Sequence, residues 1–455
     1  MNQPDEPTPA PHPVEEHERL VENQHRYLVP AIGTYYSDPL VLVEGSGRRV
    51  TDDRGRTYLD FFGGILTVSI GHAHEAVTRA VTAQLERLVH TSTLYVTAPM
   101  VRLAERLAHI TPGRLAQSFF TTSGTEANET AVAMAQLATG SSEIIALRHS
   151  YSGHSQLAMG LTGQAPWRHG FGGLPIRHAP AAYCYRCPFA RTPDTCALEC
   201  ARDLEELIQT TTSGTVAAFL AEPIQGVGGF ITPPTAYFQE AVGIVRRHGG
   251  LFIDDEVQTG FGRTGRRFGI DHYGVEPDVM TFAKGLANGL PIGATIATPE
   301  VAGHYRGPTI STFGGNPLSM EAALATLDVI EAEDLTRRAA SLGVHFRGAL
   351  EELSDRFPTL GDVRGKGLMQ GLEVVRRDKA PAPDLANELL ELARERGVLV
   401  GKGGLYGNVL RLAPPLTVTA GEVDEALRGL RAAVEALYTR HPELADVTPT
   451  RVPVD

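Results

Sequence analysis

A chain of 455 residues, 42% hydrophobic and 21% charged, has the makeup of a globular protein with room for two or three domains, or for one large domain and a smaller companion. Its net charge of −12 argues against nucleic acid or an anionic membrane surface as the main partner, and no apolar run approaches the length of a transmembrane helix. The opening MNQPDEPTPAPHPVEEHERL lacks the basic-then-apolar pattern of a signal peptide, so a cytoplasmic location is expected.

Residues 1–13 are proline-rich and are expected to form a disordered tail. VEEHERLVENQHRYL reads as a short helix, and LVLVEGSGRRVTDDRGRTYLDFFGG as a hairpin with turns at Gly45–Gly47 and Asp53–Gly55. HEAVTRAVTAQLERL and APMVRLAERLAHI have the apolar period of amphipathic helices. SFFTTSG, EIIALRHSY, VAAFLAEP, GLFIDDE, DVMTFAK and GATIAT are short apolar runs bounded by Gly, Pro or polar residues, and helical stretches alternate with them. That alternation predicts an α/β fold whose large domain is a mostly parallel sheet with helices on both faces. Past residue 315, a long helix, PLSMEAALATLDVIEAEDL, leads to strands in GDVRGKGLMQGLEV, VLVG and NVLRLAPP, the pattern of a smaller α+β domain. The expected division is a tail over 1–13, a segment 14–65 joining the small domain, a large domain 66–312, a small domain 313–440 and a tail 441–455.

The residues that carry chemistry cluster at the ends of these runs. In LFIDDEVQTGFGRTG a buried strand ends in Asp254, Asp255 and Glu256, and acids there must be solvated or given a positive partner. The next run, DVMTFAKGLANGLPIGA, delivers Lys284 to the same kind of position, where a lysine in apolar surroundings has a depressed pKa. An Asp–Lys salt bridge is the commoner meaning of such a pair. In SFFTTSGTEANETAVAMA, however, a glycine turn opens a helix, with Ser123 and Glu126 as a capping box, and free amides there suit a phosphate. EIIALRHSYSGHS adds an aromatic, Tyr151, at another strand end. A phosphate cradle, a flat ring, a carboxylate and a lysine are together the parts of a pyridoxal 5′-phosphate site. The lysine bonds the cofactor's aldehyde and the carboxylate keeps its pyridine nitrogen protonated. The four cysteines, Cys184, Cys187, Cys196 and Cys200, fall in CYRCPFARTPDTCALEC, a spacing that suits structural zinc, with reduced thiols packed in a loop or a redox-labile pair as alternatives.

From about residue 30 to 435 the chain resembles the class III aminotransferases of PLP fold type I, the aspartate aminotransferase-like architecture, most visibly in LFIDDEVQTGFGRTG and TFAKGLANGLPIGA. The resemblance implies that Asp255 pairs with the pyridine nitrogen, Gln258 bonds the ring hydroxyl, and Lys284 is the Schiff-base lysine. It also implies that Gly124 and Thr125 form the phosphate turn and Tyr151 stacks on the ring. Thr312 of STFGGNP would reach the phosphate bound by a second subunit, which implies a homodimer with shared active sites, with a tetramer as the alternative. Arg411 of LRLAPP would bind a substrate carboxylate, and Glu222 of AEPIQG would mask it when a different substrate enters. Many relatives read Tyr-His-Gly where this chain has Tyr151-Ser152-Gly153. The cysteine segment resembles a subgroup holding alanine–glyoxylate aminotransferase 2 and phospholyases.

The expected activity is therefore transfer of an amino group from an amino acid or ω-amine to an α-keto acid such as pyruvate, glyoxylate or 2-oxoglutarate. A phospholyase or racemase on the same scaffold is the alternative. Gly260-Phe261-Gly262-Arg263-Thr264-Gly265 fits a dinucleotide fingerprint, but RTGRRFGIDHYGVEPD is too rich in Gly to open a helix, and the acids precede the glycines. A non-enzymatic zinc module would leave Asp255, Lys284 and the glycine turn without a role. GHAHEAV lacks the spacing of a metal hydrolase, so His72 and His74 are expected to shape a turn before a helix.

Overall fold

The computed structural model describes residues 13–170 and 173–447. The expected N-terminal tail lies outside the described residues except for Pro13, and so does the C-terminal tail beyond Val447. A helix, Pro13–Tyr27, leads to a meander of three short strands, β1 (Leu42–Ser46), β2 (Arg49–Asp52) and β3 (Thr57–Asp60), at the expected hairpin. His74 caps the helix Glu75–Leu85 by accepting from the Ala76 amide, as the turn reading required. His72 instead bonds Asp60, whose other oxygen receives the amides of Phe62 and Gly63.

The central sheet has seven strands: β4 (Gln117–Thr121), β5 (Ile144–Leu147), β6 (Ile176–Ala179), β7 (Ala218–Ala221), β8 (Leu251–Asp255), β9 (Val279–Phe282) and β10 (Gly293–Ala297). Their order is β4-β10-β9-β8-β7-β5-β6. All pairs are parallel except those of β10, which runs against both β4 and β9. Six of the seven are the apolar runs read from the sequence. β6 was not expected, because an edge strand half-exposed along most of its length can carry Arg177 and His178. The four residues of β5, β7 and β9 are all buried, as strands covered on both faces must be.

One covering helix, Gly124–Thr139, turns Ala127, Ala131 and Ala135 to the sheet, and these small residues let its backbone lie close above β8, β9 and β10. On the other face Phe219, Phe252 and Phe238 pack ring on ring, with Phe219 and Phe252 stacked at 5.9 Å. The glycines of FGRTG open no long helix; only a short turn, Ile270–His272, follows them. Their use is packing. Gly265 has φ +82°, and a Cβ there would stand 2.8 Å from the Ala340 Cα of the helix Leu335–Arg356.

A third sheet holds β11 (Leu360–Lys366), β12 (Met369–Val374), β14 (Gly401–Gly403) and β15 (Val409–Leu412), all antiparallel in the order β11-β12-β15-β14, while the two-residue β13 (Val398–Leu399) joins β3 in parallel. The N-terminal meander and the C-terminal region are thus one sheet-bonded body. A buried ionic cluster binds this body to the loops of the central sheet. Arg364 donates to Asp362, Glu373 and the Gly229 carbonyl, and Glu373 also receives Tyr183 and Arg186.

Burial pushes the Glu373 carboxyl up, but Arg364 and Arg186 outweigh it and hold the group below its ordinary value. Its contribution to stability is therefore present above the ordinary glutamate range and is lost as pH falls below about 4.3. Truncating one partner leaves Arg364 buried and short of charge. Glu373→Ala should cost about 3–5 kcal/mol in denaturant unfolding at pH 7, with a smaller cost under acid conditions. An equal cost at both pH values would show that packing, not charge, accounts for it.

Candidate active site

The pleat of β8 decides which of its three acids faces a ligand. Asp255 lines a cavity of about 240 Å³ together with Gly124, Thr125, Asn128, Tyr151, Ser152, Gly153, Glu222, Gln258 and Lys284. Asp254 and Glu256 point to the opposite side, and all three are at most 3% exposed. Neither Asp254 oxygen receives a hydrogen bond, and burial, then Glu256 and Asp255, push its carboxyl well above the usual range. Glu256 is raised to about 7 by burial while accepting from the Thr259 hydroxyl at 2.5 Å and the Ile270 amide at 2.8 Å. Asp255 is different. Burial leaves it raised above its ordinary value as well, but Asn128, the Val257 amide and Lys284 oppose that rise.

Lys284 stands two residues past β9, facing the cavity, and its backbone is left-handed at φ +42°. A non-glycine residue held there costs of order 1–3 kcal/mol, strain that collects at functional positions. Burial lowers the ammonium pKa, partly offset by Asp255 and Glu222, with Arg411 adding to the fall.

The cradle is the start of the Gly124–Thr139 helix. Ser123 caps it, accepting from the Glu126 amide, but the reciprocal arm of the expected capping box reaches one residue further back, to the Thr122 amide at 2.8 Å. Gly153 (φ +134°) makes room beside it: a Cβ there would lie 2.3 Å from Thr125 Oγ1. Tyr151 is half-buried, with Trp167 edge-on at 5.4 Å. Gln258 is 7% exposed and its Oε1 has no partner in the protein. Ser152 Oγ is likewise buried and unpartnered.

Glu222 accepts from the Tyr151 amide at 3.1 Å and the Gly226 amide at 2.8 Å, and burial followed by Asp255 raises it to about 8. Arg411 donates to the carbonyls of Lys402 at 3.0 Å and Gly226 at 3.3 Å, with its guanidinium 4.8 Å from the Phe62 ring centroid and 5.8 Å from that of Phe230. The two meet at Gly226 without an ion pair between them among the described residues. Thr312 is exposed and borders a separate cavity with Thr122 and Glu126, away from Lys284. The structure therefore gathers seven of the nine sequence-derived site residues around one cavity, joins Arg411 to them through the Gly226 peptide that Glu222 also bonds, and leaves Thr312 apart.

Asn128 was missed. It is 1% exposed and donates to Asp255 Oδ2 at 2.8 Å. The available signal was an asparagine inside a helix, where that residue is unfavourable, one turn after the glycine. The cysteines lie outside the cavity, and all four thiols are free. Burial, with the neighbouring thiols, raises Cys184 to about 11 and Cys200 to about 12. Among the described residues no group of three or more His, Cys, Asp or Glu side chains is placed to hold a metal.

The chain as a whole is similar to known enzymes. The family model for class III aminotransferases matches residues 33–434. The mitochondrial alanine–glyoxylate aminotransferase 2 homolog 2 of Arabidopsis thaliana is 41% identical over 420 residues, 92% of this chain and 87% of the relative. A leucine/methionine racemase of Thermococcus litoralis is 37% identical over 426 residues, 92% and 95% of the two chains. The solved amine transaminase from an uncultivated Pseudomonas species, in its PLP-bound form, superposes with a TM-score of 0.84 at 34% identity over 90% of this chain and 99% of that one.

The site fits pyridoxal phosphate on its own terms: a helix start with free amides, a buried carboxylate, an unpartnered Gln258 oxygen and a lysine held by burial below its usual pKa. Gly153→Ala tests the cradle. With Thr125 displaced, phosphate-bearing pyridoxal should be retained at least tenfold more weakly, while pyridoxal without phosphate should be little affected. Equal losses for both would show that the ring pocket, not the cradle, had been disturbed.

Proposed function

The chain belongs to the class III aminotransferase family and is a pyridoxal phosphate-dependent aminotransferase, and we propose that it moves an amino group from an amino acid or ω-amine to pyruvate, glyoxylate or 2-oxoglutarate using Lys284. The placement of Lys284 and Asp255 at neighbouring strand ends facing one cavity carries this reading. When bound, the cofactor supplies an electron sink that acidifies the α-hydrogen of the amine substrate. Lys284 would hold it and, once displaced by the incoming amine, take and return a proton at Nζ, for which its lowered pKa suits it. Asp255 would hold the proton on the ring nitrogen, Gln258 Oε1 would accept from the ring hydroxyl, Tyr151 would cover the ring, and the amides of Gly124 and Thr125 would take the phosphate.

Arg411, its Nε and Nη1 directed at carbonyls and its plane against Phe62, would turn its fork to a substrate carboxylate. Glu222, already beside the same Gly226 peptide, would be its counter-charge when the substrate has none. A racemase is the second reading, because the Thermococcus relative is named as one.

Residues 14–65 and 313–440 would form the small domain and 66–312 the large one, a division supported by the pairing of β3 with β13. A homodimer with shared sites is supported by exposed Leu94, Tyr95, Val96, Ile310 and Phe313, an apolar surface drawn together where His90 meets Phe313. Thr312 in that surface would reach the partner's phosphate. The free thiols suit a reducing compartment, and we place the chain in the cytoplasm, although the Arabidopsis relative is named mitochondrial.

A panel of amine donors and keto-acid acceptors, run beside phosphate release from O-phosphoethanolamine and inversion of amino-acid enantiomers, tests the reaction. Amino transfer should dominate, and borohydride should fix a chromophore that Lys284→Ala cannot retain. Inversion or phosphate release without amino transfer would overturn the assignment. Within the panel, Arg411→Lys should weaken the half-reaction with a carboxylated acceptor strongly and that with a carboxylate-free amine much less; equal losses would make Arg411 a structural residue. The solution mass should be that of a dimer or a higher even-numbered assembly, and a monomer with full activity would remove the shared-site proposal.

A further inference from the structure

Asn128 stands in the Gly124–Thr139 helix one turn beyond the amides of the anion cradle, and both its polar atoms are engaged. Nδ2 donates to Asp255 Oδ2 at 2.8 Å and to the Ser152 carbonyl at 3.1 Å, while Oδ1 accepts from the Thr281 hydroxyl at 2.7 Å. A carbonyl can only accept, so Ser152 dictates which end of the amide is nitrogen, and Thr281 holds the other end. Thr281 is the register partner of Asp255 on the adjacent strand. The helix, β8 and β9 thus meet at one side-chain amide.

We propose that Asn128, locked in orientation by Thr281, is the positioning residue that keeps Asp255 ionised and aimed at the cofactor's ring nitrogen, and that it ties this carboxylate to the phosphate cradle through one turn of helix. The proposal rests on the pyridoxal phosphate reading of the site. Asp255 Oδ1 already receives the Val257 amide at 3.1 Å, so with Asn128 on Oδ2 a donor confronts each oxygen. A proton on either oxygen would displace one of them, and the anion is the form that satisfies both. The charged or titratable groups around Asp255 are Lys284, Glu222, Tyr151 and His154 on the cavity wall and Asp254 behind it on β8. Asp254 shows the contrast. It is equally buried, no hydrogen bond reaches either oxygen, and the neighbouring Glu256 and Asp255 add to a rise well above the ordinary range, whereas the burial that raises Asp255 is opposed by Asn128, the Val257 amide and Lys284. The second link follows from the backbone: residues 124, 125 and 128 share one helical turn, about 5.4 Å of rise, so a ligand anion that anchors the helix start also fixes where Asn128 presents its amide.

The test uses holoenzyme carrying Asn128→Leu, Asn128→Asp or Thr281→Val. The pH profile of the visible cofactor band is recorded without substrate, and kcat and KM are measured for the best substrate pair. Loss of a hydrogen bond to a buried charge corresponds to roughly a ten- to hundredfold effect. Asn128→Leu should move the band's titration midpoint, lower kcat by that factor and change KM little. Asn128→Asp sets a second carboxylate against the first; it should be more harmful, with recovery as pH falls. Thr281→Val should shift the profile in the same direction as Asn128→Leu but less, and it keeps the test open if the Asn128 variants do not fold. Variants with a lowered melting temperature but an unmoved band profile would reduce Asn128 to packing and overturn the proposal. Wild-type protein that takes up no pyridoxal phosphate would instead overturn the reading beneath it.

Discussion

At the end of β8 the chain buries three successive carboxylates, and the pleat separates them before any ligand arrives. Asp254 and Glu256 go to the side where no cation is recorded with them, and burial drives them toward the neutral acid. Asp255 goes to the side where an amide, a backbone N–H and a lysine amine await it. Burial raises all three carboxyls, and the groups each one meets set how strongly that rise is opposed. The cavity, the helix above it and the loop carrying Lys284 are all arranged around Asp255, the acid of the three that lines the cavity.

Those donors come from parts of the chain far apart in sequence. The Gly124–Thr139 helix brings Asn128, β9 brings Thr281, and the turn after β9 brings Lys284 in a left-handed conformation. Small residues make the convergence possible: alanines let the helix settle close to the sheet, and Gly153 leaves space for Thr125 at the cradle. The glycines of FGRTG serve the same end elsewhere, allowing that loop to touch the backbone of the Leu335–Arg356 helix.

The outer wall is supplied by the other body of the fold. Arg411 lies on β15, yet its guanidinium is held over Phe62 from the N-terminal region and bonded to Gly226 from the central sheet's loops. The Arg364–Glu373 cluster, which includes Tyr183 and Arg186 from the cysteine segment, fastens the same two bodies together. The cysteine segment is thereby part of the join between bodies.

The sequence alone determined the strand-and-helix alternation, six of the seven strands of the central sheet and the family, because buried strands and glycine turns leave local patterns of apolar run and breaker. It also brought Asp255 and Lys284 to strand ends, since each directly follows its apolar run. It did not reveal β6, whose half-exposed edge needs no apolar run, nor the reversal of β10, since strand direction leaves no local trace. Asn128, the alternation that keeps Asp254 and Glu256 out of the cavity, and the meeting of Arg411 with Phe62 were decided only by the tertiary structure. Each depends on which distant groups arrive within hydrogen-bonding or van der Waals distance, and hydrogen bonds and burial act through space, whereas sequence patterns report only along the chain.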